Sequence, residues 1–196
     1  STLLNPDSLS LSRTHRLPSQ LDYKYVAAGL KHEFNNLDYR PSPSRGWSVL
    51  IDVKAGTKTF KENSILLSYE SDQIHVQQQY DSLNQNTEQA VYALIASKYF
   101  NFIKLAISAN GILTYGKIAD NELIKIGGYK NLRGFDEDFY KCTHSTIQTI
   151  EYRFLLDRNS FLNVFSDFAY LKQPVNETYE WNWYEGFGLG IQFQTK

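Results

Sequence analysis

Residues 127–139 read GGYKNLRGFDEDF, and they hold the most unusual placement of a charge in the chain. Arg133 stands between apolar Leu132 and Gly134-Phe135, with Gly127 and Gly128 upstream and Asp136, Glu137 and Asp138 downstream. A guanidinium is permanently charged and presents a planar fork of donors. When partly desolvated it needs carboxylates that can accept them. That chemistry is bracing and recognition, with no bond made or broken. The three glycines would let the segment turn sharply and approach a wall closely, and Phe135 would supply packing there. The acids 136–138 carry no calcium-loop spacing and read as the solvated return of the loop.

The other reactive residue types offer less. His32, His75 and His144 have no partners at ligand spacing, and His15 sits in a polar N-terminal stretch, so no metal site is expected. GFGLG at 186–190 superficially resembles a nucleotide-binding glycine motif. It lies inside an alternating strand pattern and not at a strand-to-helix turn, so small residues facing a crowded interior explain it better. Cys142 reads as a free loop thiol. No Ser-His-Asp or Cys-His arrangement is identifiable. The chain is read as a non-enzyme that uses no cofactor.

The elements that must position Arg133 are strands. In residues 102–116, Ile103, Leu105, Ile107, Ala109, Leu113 and Tyr115 share one face, while Lys104, Ser108, Asn110 and Thr114 share the other. That is a period of two, over a length beyond the usual ~5–6 residues of soluble strands. The pattern recurs in Trp47–Val53, in Ile150, Tyr152 and Phe154 against Thr149, Glu151 and Arg153, and in Leu162–Tyr170. It returns in Phe187–Phe193, with less regular strands near 24–34 and 90–100. Seven strands are expected, and no helix of comparable quality. The segment SILLSYESDQIHVQQQ, within the long insertion 57–88, has some strand character. Short connections near Asn101 and at 157–160 alternate with long ones at 57–88, 117–143 and 172–183, and 34–47 is an intermediate hairpin. Membrane barrels alternate short periplasmic turns with long extracellular loops in this way.

Composition agrees with strands that meet lipid. Aromatics make up 15% of the 196 residues, led by 14 Tyr. Such residues favour strands and membrane interfaces. Twenty basic residues balance 21 acidic ones, which leaves no footprint for nucleic acid. No run reaches the ~18 apolar residues of a membrane helix, a limit that does not bear on strands of about 9–11 residues. One cysteine excludes an internal disulfide framework.

ELIKIGGYKNLRGFDEDF, then TIEYRFLLDRNSFLNVFSDFAY and GFGLGIQFQTK, together resemble the C-terminal region of the BamA/TamA superfamily of surface-antigen barrels. The style is similar to members from Bacteroidota. The resemblance covers 23–196 and is most specific over 122–170. It implies an all-β antiparallel transmembrane barrel in the bacterial outer membrane, of the assembly or translocation type, assisting insertion or translocation of polypeptides. Its partners would be outer-membrane lipids, client polypeptides and accessory lipoproteins. It further implies that Leu132-Arg133-Gly134-Phe135 folds into the lumen, where Arg133 meets Glu151 and Asp167. Glu151 lies on the polar face phased above, and Asp167, with Asn163 and Ala169, lies opposite the face shared by Leu162, Val164, Phe168 and Tyr170. Residues 1–22 would be a tail or the remnant of a preceding strand. Seven strands is an odd number, so the barrel is expected to be incomplete at the C-terminus. An alternative expectation is a membrane-anchoring barrel of a fused phosphatase-like or lipase-like enzyme.

Overall fold

The computed structural model describes residues 15–68, 75–85, 87–101, 103–114, 117–157, 159–175 and 178–193. Nine strands occur among them. Seven form one sheet: β1 (Tyr23–Asn35), β2 (Arg45–Phe60), β3 (Glu88–Phe100), β4 (Ile103–Thr114), β7 (His144–Asp157), β8 (Ser160–Val175) and β9 (Thr178–Gln192). The order is β1-β2-β3-β4-β7-β8-β9, so each strand lies beside its sequence neighbour, apart from the insertion between β4 and β7. That insertion carries a separate antiparallel pair, β5 (Ile124–Ile126) and β6 (Tyr140–Cys142). β1 and β9 end the order and are not paired with each other among the described residues.

The seven expected strands match the seven of the sheet, with longer bounds. Two expectations are corrected. First, 172–183 is not a long loop: β8 runs to Val175 and β9 starts at Thr178, in register from Val175↔Thr178 to Phe161↔Gln192. Its polar and aromatic residues find cross-strand partners. Tyr184 donates its hydroxyl to Gln173 at 2.5 Å, and the Tyr170 ring stacks at 4.4 and 4.2 Å on Trp181 and Trp183. Second, the segment with strand character is helical where described, as α1 (Ser64–Leu67) and α2 (Val76–Leu83); residues 69–74 lie outside the described residues. The Asn63 side chain caps α1 through the Ile65 amide, and Val76 and Tyr80, four apart on α2, are both buried.

The chain divides into two compact units. One gathers Ser1–Gly29, Lys54–Ala90 and Leu113–Leu123; the other gathers Leu30–Val53, Val91–Ile112 and Ile124–Lys196. The first has a small core of Leu17, Leu21, Phe60, Leu66, Val76, Tyr80 and Ala119. The described part of the N-terminal stretch is therefore packed. A buried ion pair, Lys58 Nζ to Glu122 at 3.0 Å, is completed by the Lys117 carbonyl at 2.8 Å.

The second unit holds the site. Burial along its strands runs opposite to that of a water-facing sheet. On β7, Ser145, Ile147, Glu151 and Arg153 are buried, while Ile150, Tyr152 and Phe154 are more than half exposed. On β9, Gly186 is buried while Phe187 and Leu189 are 80% and 82% exposed. Isolated exposed apolar side chains are ordinary, but a contiguous apolar face over several strands marks a surface that meets something other than water.

Candidate functional site: the arginine loop and its carboxylates

The site begins with the local geometry of the inserted loop. Gly127 and Gly128 adopt positive φ, +133° and +95°, which an L side chain rarely tolerates. The loop closes there on itself: Gly127 N donates to Asn131 Oδ1 at 2.9 Å and Gly128 N to the Leu132 carbonyl at 3.0 Å. The turn drives Leu132 into a cluster with Ile126, Cys142, Ile147, Ala169 and Leu171, where it is fully buried. Phe135 packs beside it, edge-on to Tyr140 and Tyr184. Cys142 is a free thiol, but not in a loop. It lies on β6 in this cluster, and burial pushes its pKa up to about 12.

With the loop anchored by Leu132, the next residue meets the polar face of β7 and β8. Arg133 Nε donates to Asp167 Oδ2 at 2.7 Å, and Nη2 to Oδ1 at 2.8 Å, a two-pronged contact. Nη1 donates to Glu151 Oε2 at 2.6 Å. The Arg133 backbone amide adds a bond to Asp167 Oδ2 at 3.2 Å, and Thr149 donates to Oδ1 at 2.8 Å. Asp167 is fully buried and Glu151 nearly so. β7 and β8 are hydrogen-bonded neighbours, with Thr149 opposite Asp167 and Glu151 opposite Phe165, so the carboxylates sit diagonally on one face.

Sequence reasoning missed three parts of this arrangement. Arg153 is buried and donates Nε to Glu151 Oε1 at 2.6 Å, and its Nη1 reaches the Pro43 carbonyl at 3.4 Å. Two cations and two anions therefore alternate as Asp167–Arg133–Glu151–Arg153. The second omission is aromatic: the Arg133 guanidinium lies 3.6 Å from the Phe165 ring centroid, and that of Arg153 lies 4.6 Å from Phe161. The third is Thr149. Phasing had placed Thr149, Glu151 and Arg153 on one face, which was the available signal. Phe161 and Phe165 share the polar face of β8 and carried none.

The glycines of β9 make room for this packing. Gly186 pairs with Asp167, and a side chain there would collide with the Arg133 carbonyl oxygen. Gly188 leaves space for the Phe165 ring and Gly190 for Asn163. Glu137 accepts from the Tyr129 amide at 3.2 Å, and Asp136, Glu137 and Asp138 are all exposed. Among the described residues, no three His, Cys, Asp or Glu are grouped to hold a metal ion.

The chain matches no protein-family model, and a search of curated proteins finds no match to it.

Proposed function

We propose that this chain is the lipid-facing sheet of an outer-membrane β-barrel of the assembly or translocation type, with the Arg133 loop folded into its lumen as a brace. The observation that carries the reading is the inverted burial. Phe187, Leu189, Ile191, Ile150 and Phe154 face outward, while Glu151, Arg153 and Asp167 face inward. A water-facing sheet would have the opposite sense, whereas a membrane barrel turns its apolar face to acyl chains and its polar face to the lumen. The outward stack of Tyr170, Trp181 and Trp183 suits the aromatic girdle at a membrane boundary. The assembly or translocation part of the reading rests on the resemblance of the Leu132-Arg133-Gly134-Phe135 loop and its two carboxylates to that superfamily.

The brace is electrostatic. Asp167 and Glu151 repel in a confined space, and Arg133 bridges them, with Arg153 supplying the second positive charge, while Leu132 and Phe135 hold the loop against the wall. The protein would then offer clients a rigid wall without spending a cofactor. Full-length protein reconstituted in liposomes should accelerate the folding of an unrelated outer-membrane barrel supplied in urea, and the Arg133→Ala protein should not. A chain that stays in buffer without detergent, or that leaves client folding at the rate of empty liposomes, would refute the reading.

A further inference from the structure

Beside the brace lies a cavity of about 550 Å³, walled by β4, β7, β8, β9 and the loop around Tyr129–Gly134. Its charge does not balance. Lys104, Lys130, Arg133 and Glu151 border it, and because Asp167, Arg133, Glu151 and Arg153 together carry no net charge, Lys104 and Lys130 are the cations left over. Lys104 stands directly across the β4–β7 ladder from Glu151. Yet both Glu151 oxygens are already engaged, Oε2 by Arg133 and Oε1 by Arg153. Asp167 is likewise taken up by Arg133 and Thr149. Lys104 makes no ion pair with any described carboxylate, although it is half-buried. Arg133 has three of its five N–H donors engaged, which leaves two. The Asn163 amide, also on the cavity wall, has no hydrogen-bond partner among the described residues.

A half-buried ammonium beside unspent guanidinium and amide donors gathers positive charge and N–H groups on one wall, which suits an oxyanion. We propose that this cavity is an oxyanion site that takes the phosphate group of a small organic phosphate or of a lipid headgroup, held by Lys104, Lys130, Arg133 and Asn163. A phosphate has enough acceptor oxygens to meet a lysine point charge and guanidinium N–H groups together. The cavity exceeds a bare phosphate, and the rings of Phe161 and Phe165 offer an apolar wall for what is attached to it. The site stands on its own geometry and does not require the assembly reading.

Calorimetric titration of inorganic phosphate into the full chain in a neutral detergent tests it. Saturable one-to-one binding is expected, weakened at least tenfold in Lys104→Gln and several-fold in Lys130→Gln. Lys125→Gln, on an exposed lysine outside the cavity, should bind as the unaltered chain does. Lys130 is exposed and loop-borne, so its variant remains informative even where Lys104→Gln fails to fold. Competition identifies the source: glycerol 3-phosphate displacing phosphate supports a soluble ligand, and phosphatidylglycerol in mixed micelles displacing it supports a headgroup. Absence of saturable binding, or equal binding in Lys104→Gln, Lys130→Gln and Lys125→Gln, would overturn the proposal.

Discussion

Arg133 spends its charge unequally on its two acids. It meets Asp167 with two side-chain bonds and a backbone amide, and Glu151 with one bond. Removing one partner of a buried ion pair costs about 3–5 kcal/mol, chiefly because the other is left buried and uncompensated. Arg133→Ala should lower stability by roughly that amount in urea unfolding from lipid vesicles. Arg133→Lys should recover little, since an ammonium cannot make the two-pronged contact. A double-mutant cycle should give a larger coupling for Arg133 with Asp167 than with Glu151, and equal couplings would count against the geometry. Cys142 permits a second test at this scale. Its thiol ordinarily titrates near 9.0 and here is pushed up to about 12 by burial. The folded state thus holds the proton more tightly, and stability falls as pH rises from about 9 toward 12. Alkylation by iodoacetamide should be negligible in the folded chain at pH 8 and should rise in Leu132→Ala, which empties the cluster around the thiol.

At the scale of elements, the loop and β9 fit each other through glycine. Gly186 lies under the Arg133 carbonyl, which is backbone and cannot step aside, whereas Gly190 faces the Asn163 side chain, which can rotate away. Gly186→Ala should therefore displace the loop and Gly190→Ala should not. Limited trypsin digestion reads this directly at Lys130 and Arg133: rapid cleavage is expected in Gly186→Ala only. Equal resistance in both variants would mean that the loop does not depend on this contact. The β8–β9 connection teaches the same lesson in reverse. Residues 172–175 and 178–183 resemble a polar loop when read singly, yet the pairing of Gln173 with Glu180 and of Tyr170 with Trp183, with the Tyr184 hydroxyl donating to Gln173, makes them strand.

For the whole molecule, the decisive property is which face of the sheet meets which solvent. If lipid covers the outward face, Leu189→Lys should destabilise the protein measurably in a bilayer, by up to about 4 kcal/mol, the upper cost of a lipid-facing lysine. Asn163→Lys, on the opposite face of the neighbouring strand, should cost much less in the same vesicle-unfolding measurement. Similar costs at the two positions would remove the argument from inverted burial.

Periodicity alone determined the seven strands, their two faces, and the shared polar face of Thr149, Glu151 and Arg153, because side chains alternate at every residue of a strand whatever lies around it. The resemblance to the surface-antigen barrels also pointed Arg133 at Glu151 and Asp167. Only the tertiary structure decided that Arg153 occupies the second oxygen of Glu151 and that Phe165 lies under the guanidinium. It also decided that Cys142 is buried, that the segment with some strand character forms α1 and α2 where described, and that Lys104 makes no ion pair with a described carboxylate. Each of these depends on register and on packing between segments far apart in the chain, and no local pattern of residues encodes it.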